Sequence, residues 1–232
     1  RRLAALTRER QPGRLAARAA EVCHMPAKPY RHLSPLARAL ELVGDRWTLL
    51  IISDLMVAPK RYTDLANGLP GIPSNLLRDR VRRLEQDGLV TRFEAPPPIA
   101  TSLYELTPRA RELEPTILAL QEWGGPLMAD ATRDDEPLFA DSVVLALRGA
   151  VKRSEVADRL VIGFEVEGSS LPIVEIVGDK VEAGMTRIEP DVKVIATSGA
   201  ALLRVLAGVD KLEDAKGITV EGDETALQAL IG

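Results

Sequence analysis

From Ser34 onward the apolar positions recur with a helical period. Ser34-Pro35 pairs a preferred N-cap residue with proline at the first helical position, and Leu36, Leu40 and Val43 follow at helical spacing. Gly44 ends that helix. Asp45 is placed to cap the next one, which carries Trp47, Leu50, Ile51 and Leu55 to about Val57, where Pro59 stops it. This second helix is apolar nearly all round, which predicts burial. A short helix is expected over Arg61–Asn67, then a turn through Gly68, Pro70, Gly71 and Pro73. Leu77, Val81 and Leu84 stand at i, i+4 and i+7 in a strong helix over Ser74–Asp87, closed by Gly88. Strands are expected over Leu89–Glu94 and Ser102–Leu106, joined by a loop that holds Pro96-Pro97-Pro98. Thr107-Pro108 opens a last helix to about Trp123, which Pro115 should kink or divide. Helix, helix, short helix, turn, helix, strand, strand, helix is the order of a winged helix-turn-helix.

The pattern then changes. An acidic, polar stretch over 131–137 reads as a linker. A helix is expected over Phe139–Arg159, and strands over Leu160–Glu167, Leu171–Val177, Val181–Ile188 and Val192–Ala196. In the first strand Ile162, Phe164 and Val166 share one face, and Glu165 and Glu167 the other. A helix over Thr197–Gly208, a shorter one over Asp210–Lys216, a strand over Gly217–Glu221 and a terminal helix capped by Asp223 complete the chain. The class is α+β. A basic arm occupies 1–24, a winged helix 25–130, and a second α+β domain with a mainly antiparallel sheet 138–232.

Charge sharpens this division. Of the net −4 over 232 residues, residues 1–24 contribute six Arg against two Glu, 25–131 contribute 13 basic and 13 acidic groups, and 132–232 contribute 11 basic against 19 acidic. A basic surface over the whole fold is therefore excluded, and any contact with nucleic acid is local. The single Cys excludes an internal disulfide. No window approaches ~18 uninterrupted apolar residues, so no membrane partner is expected. The arginine-rich start does not read as a secretory signal, and a cytoplasmic location is expected.

The local contact is best placed on the 74–87 helix. Its face opposite Leu77, Val81 and Leu84 carries Asn75, Arg78, Asp79 and Arg82. Arg and Asn are suited to bidentate contact with guanine and adenine edges, and Ser74 at the helix start suits a phosphate. Ordinary surface helices carry such arginines too. The preceding short helix and turn and the following two-strand wing decide for DNA. With Arg61 and Thr63 on the short helix and Arg92 at the base of the wing, these are the candidate DNA contacts. The wing tip, Pro96–Ala100, is uncharged, which excludes an electrostatic clamp there.

Ser34–Gly124 resembles the HxlR family of winged-helix transcription regulators, through "PLARALELVGDRWTLLIISDLM", "KRYTDLANGLPGIPSNLLRDRVRRLEQDGLV" and "SLYELTPRARELEPTILALQEWG". Gly44–Trp47 together with the turn Leu69–Ile72 is the specific combination. The resemblance implies a homodimer packed through its first and last helices on a palindromic double-stranded operator. Family members often carry Cys directly before the Pro of the first helix, where some sense oxidants or electrophiles. This chain has Ser34, which argues against thiol sensing; Cys23 lies in the arm.

The second half shows no catalytic constellation and implies no cofactor. The only histidines, His24 and His32, precede the first helix, so a Ser-His-Asp arrangement near the sheet is excluded. With Cys23 they form no usual zinc spacing, and GxGxxG and Walker patterns are absent. Phe164, Val166, Val174, Ile176, Met185, Val192 and Val194 fall on inner strand faces, with Leu202, Val205 and Leu206 on a covering helix. Each alone reads as plain core; together Phe164, Val166, Val174, Ile176, Met185, Val194, Leu202 and Leu206 are a candidate apolar pocket. Ile188–Leu230 resembles the C-terminal part of the sterol-carrier-protein type 2 domain, and Phe139–Arg187 does so more loosely. That resemblance implies a tunnel for an apolar, lipid-like small molecule. The reading is a non-enzymatic DNA-binding regulator modulated by such a ligand. The rivals are a lipid carrier whose winged helix serves only dimerisation, and an acyl-transferring enzyme, which the missing His and Cys oppose.

Overall fold

The structure is a computed structural model, which describes residues 29–97, 100–129, 136–151, 159–184 and 188–231. The basic arm, with Cys23 and His24, lies outside the described residues, as does most of the linker.

Helix α1 spans Pro35–Val43. Ser34 caps it, its hydroxyl accepting from the Ala37 N–H. Helix α2 spans Thr48–Val57, with Ile51, Ile52, Leu55 and Met56 buried as its composition demands. Asp45 does not cap α2. Trp47 occupies that position without a side-chain bond, because the Asp45 carboxylate is held 2.8 Å from Nη1 of Arg80. Helices α3 (Tyr62–Gly68) and α4 (Ser74–Gln86) enclose the expected turn. Gly88, at φ +68°, ends α4: its N–H bonds the Glu85 carbonyl while the Leu89 N–H reaches back to Leu84, a wrap that needs the left-handed backbone glycine adopts freely. Strands β1 (Val90–Glu94) and β2 (Ser102–Leu106) pair antiparallel as the wing. Lys60 adds a two-bond backbone bridge to Tyr104. Pro115 divides the last helix as its ring requires, into α5 (Pro108–Arg111) and α6 (Glu114–Gly124).

In the second half, α7 covers Ala140–Val151. Residues 152–158 lie outside the described residues; Arg159, expected at the end of this helix, instead opens strand β3 (Arg159–Val166), where its guanidinium meets Glu175 across the ladder at 2.7 Å. The two-residue strand β4 (Ser169–Ser170) hairpins back onto β3. Strands β5 (Ile173–Val177), β6 (Lys180–Gly184), β7 (Val192–Ala196) and β8 (Ile218–Gly222) complete a sheet of order β6-β5-β3-β7-β8. Only β3 and β7 run parallel; every other pairing is antiparallel. Residues 185–187 after β6 lie outside the described residues, and Ile188, expected at the end of that strand, lies outside any strand. Helices α8 (Gly199–Leu206, capped by Ser198) and α9 (Glu224–Ile231, capped by Asp223) follow.

Each half has an apolar core, but the division is not clean. On α7, Val143, Val144, Leu147 and Ala150 join the core of the second half, while Leu145 joins the core of the winged helix. At 100° per residue, Leu145 lies ~200° round from Val143, so α7 is buried on two sides. Polar contacts fasten the same junction. Lys60 pairs with Asp141, and Arg148 donates to the Met56 carbonyl (3.1 Å) and to Glu114 (3.3 Å).

Candidate nucleic-acid interface

Helix α4 carries Leu77, Val81 and Leu84 on its buried side, all at most 2% exposed. Three apolar side chains at this spacing fix the rotation of the helix, and the rotation fixes what faces solvent. Asn75, Arg78, Asp79 and Arg82 are exposed, as is Ser74 at the helix start. Among the described residues nothing pairs with Arg78 or Arg82. The other two arginines of the helix are employed within the fold. Arg80 meets Asp45, and Arg83 Nε donates to Asp87 at 2.9 Å. Four arginines in one helix thus divide into two structural and two free, and the free pair stands one turn apart. The α3–α4 angle is braced by Tyr62, whose hydroxyl donates to the Ser74 carbonyl at 2.8 Å.

Arg61 and Thr63 are exposed at the start of α3. Arg92 is exposed too, but it is not a free cation: its guanidinium donates to the Ser102 hydroxyl at 2.6 Å and faces Glu94 at 3.6 Å. The structure therefore gathers Ser74, Asn75, Arg78, Asp79 and Arg82 on one helix face, with Arg61 and Thr63 on the adjoining α3, and leaves Arg92 engaged on the wing. Sequence reasoning missed the Tyr62 brace and the Arg80–Asp45 pair. Neither has a local signature, since their partners lie 12 and 35 positions away. The i, i+4 spacing of Arg83 and Asp87 was the one readable signal.

The proposed pocket residues meet elsewhere. Phe164, Val166, Val174, Ile176, Val194, Leu202 and Leu206 are all buried members of one apolar cluster between the sheet and its helices. Met185 lies outside the described residues. Leu206 also borders a groove on the other side of α8, shared with α6 and α7. His32 bonds through Nδ1 to Ser34 at 3.0 Å; among the described residues no group of three potential metal ligands forms, and no helix is long and apolar enough to cross a membrane.

One titratable group at the junction was not foreseen. Asp54 of α2 is largely buried, and its Oδ2 accepts no hydrogen bond from a described residue. Burial raises its pKa to about 6; the nearby Lys60 ammonium opposes the rise and Asp141 adds to it. The folded state thus binds this proton more tightly than the unfolded chain, so the protonated group favours folding. That contribution is present below the unfolded value near 4 and is lost as pH rises through about 6. Asp54→Asn should therefore stabilise the protein by ~1–3 kcal/mol at pH 8 and by little at pH 4. Urea titrations at the two pH values check this, and an equal effect at both would exclude a buried charge as the cause.

Comparison with known proteins finds relatives of the first half of the chain. The family profile described as HxlR-like helix-turn-helix matches residues 42–131. An uncharacterised HTH-type transcriptional regulator of Synechocystis is 31% identical over 96 residues, 40% of this chain and 69% of the relative. The HTH-type transcriptional regulator YodB of Bacillus subtilis is 34% identical over 85 residues, 37% of this chain and 76% of the relative. An uncharacterised regulator of Mycobacterium tuberculosis is 40% identical over 89 residues, but this chain spans only 56% of its length. Among solved structures, the redox regulator HypR in its reduced form superposes with a TM-score of 0.38 at 29% identity, covering 43% of this chain and 98% of that one. Quinone-bound YodB does so with a TM-score of 0.34 at 31% identity, covering 38% and 93%. The relatives are named as regulators, not enzymes. The chain belongs to the HxlR-like helix-turn-helix family of transcription regulators.

Proposed function

We propose that the protein is a homodimeric transcription regulator that lays α4 in the major groove of a palindromic operator. The observation that carries this reading is the pair Arg78 and Arg82, exposed and, among the described residues, unpaired beside Asn75 on the face of α4 opposite its buried stripe. Two copies of such a helix read two half-sites about one DNA turn apart. The supporting experiment is fluorescence anisotropy on an operator selected from the genome by the purified protein. Specific binding should exceed non-specific binding by at least ~10³-fold at physiological salt. Binding no tighter than to random duplex would leave α4 an ordinary surface helix.

Support for the dimer comes from the outer helices. Leu36 of α1 and Leu120 and Trp123 of α6 are exposed, Trp123 by 75%, and Leu127 follows directly. Large apolar side chains exposed in this way are what a self-complementary interface covers. Trp123→Glu should convert the dimer to a monomer in light scattering and weaken operator binding at least tenfold, with the fold intact. A dimer undisturbed by that change would move the interface elsewhere.

The regulator reading includes a ligand for the second half. Its support is the aliphatic interior around Phe164, Val174 and Leu202 and the likeness to sterol-carrier domains. Native mass spectrometry of the purified protein should find a co-purified apolar small molecule, and a clean apo spectrum would make that interior plain core.

A thiol switch is not part of the proposal. YodB is known in a quinone-bound form, but here Ser34 occupies the position before α1 and serves as its cap. Peroxide or diamide should leave operator affinity unchanged. A loss reversed by thiol would transfer the sensing role to Cys23.

A further inference from the structure

The junction between the halves holds two adjoining depressions, each of about 290 Å³. They share Gln121 of α6 and Ser142 and Leu145 of α7, and so form one groove. One end is walled by Leu118, Leu203 and Leu206; the other by Leu50, Ile117 and the Asp54 carboxylate. The walls are mostly aliphatic. Their charged groups are all acidic, Asp54 at one end and Glu122 at the other; the Gln121 amide and the Ser142 and Ser53 hydroxyls are the neutral polar groups. No Lys, Arg or His lines either depression among the described residues. The cation closest in sequence and charge to Asp54 is Lys60, and its ammonium is already engaged by Asp141.

From this arrangement we infer that the groove between α2, α6, α7 and α8 is a binding site for a lipophilic cation, an apolar body carrying an ammonium group that ends against Asp54. A partly desolvated carboxylate whose Oδ2 lies buried beside Gly68 with no hydrogen bond from a described residue is a costly group to keep ionised, and a cation approaching the carboxyl from the groove lowers that cost through its charge, without contact with Oδ2. The aliphatic walls supply binding area, and the carboxylate supplies the preference for positive charge. A neutral apolar molecule would gain the first and not the second. An anionic one would meet Asp54 and Glu122 with nothing opposite. This site differs from the sheet interior considered above, and the inference depends neither on that interior nor on DNA binding; Leu120, offered above as a dimer contact, lines the Asp54 end of the groove, so a ligand there sits beside the proposed subunit interface.

Protonation gives the site a signature. The carboxyl of Asp54 titrates near pH 6, with Lys60 and Asp141 the charged groups facing it from the segment after α2 and from α7. Below that pH the acid is neutral and the preference for a cation fades.

The test uses the full chain and two probes, the 4-phenylbutyl-trimethylammonium ion and its neutral isostere with a tert-butyl head. Calorimetry at pH 7.5 should show the cation binding at least tenfold more tightly than the isostere. Asp54→Asn should bring the two to the same affinity, and Ser142→Trp, which fills the wall common to both depressions, should weaken both at least tenfold. On the unaltered protein the preference should shrink at least threefold between pH 7.5 and pH 5, a readout that survives even where a variant fails to fold. Equal binding of the two probes, a preference that persists in a folded Asp54→Asn, or no binding of the cation would each overturn the inference.

Discussion

Arg78→Ala and Arg82→Ala should each weaken operator binding by ~1–3 kcal/mol, roughly 5- to 150-fold, while leaving stability within ~0.5 kcal/mol. Both side chains are exposed and unpaired among the described residues, so their removal takes nothing from the fold. A base-reading arginine also sets sequence preference: its loss should relax discrimination at one operator position. A phosphate-bound one should instead lower the salt dependence by about one counterion. Arg83→Ala supplies the contrast from the same helix. Its partner Asp87 is 1% exposed and lies 2.9 Å away, so removing the arginine strands a buried carboxylate. The result should be a loss of stability of ~1–3 kcal/mol, with DNA binding reduced only in proportion to unfolding. Measuring both quantities for all three variants separates reading DNA from holding the helix. Unchanged operator affinity in Arg78→Ala and Arg82→Ala would remove α4 as the reading element.

The legible part of this molecule is the part governed by local rules. Ser34-Pro35, Gly88, Thr107-Pro108 and Asp223 act through bonds to residues a few positions away, and each appears in the structure where its chemistry places it. The exposed face of α4 was readable for the same reason: Leu77, Val81 and Leu84 orient the helix whatever else surrounds it. What stayed hidden is long-range. The Asp45 side chain could cap α2 or meet an arginine, and only the fold brings Arg80 to it. Arg159 was assigned to a helix because the segment before it is amphipathic; its strand conformation is set by cross-strand contact with β5. A linker in the sequence likewise suggested independent halves. Nothing local in α7 shows that its Leu145 side and its Val143 side are claimed by different cores, since an apolar residue carries no label for its partner. The groove at that junction, with Asp54 in its wall, was invisible for the same reason.

The junction makes a prediction about cooperativity that is larger than any at the DNA face. Leu145→Ala should destabilise the protein by ~2–5 kcal/mol, the range for truncating a buried leucine side chain. Leu145 is 4% exposed and packs with the winged-helix cluster, although it belongs to a helix of the second half. Val57 works the other way: it lies on α2 yet packs against both clusters. The Lys60–Asp141 pair and the bonds from Arg148 to Met56 and Glu114 add polar ties between the same helices. If the halves share a core in this way, neither should unfold alone. The two tryptophans, Trp47 and Trp123, both belong to the first half, so their fluorescence follows the winged helix while far-UV circular dichroism follows the whole chain. In denaturant the two probes should give one coincident transition, and Leu145→Ala should move both midpoints together. A substitution on α7 that left the tryptophan midpoint in place while the dichroism shifted would show two independent domains, and the shared packing would then contribute nothing to stability.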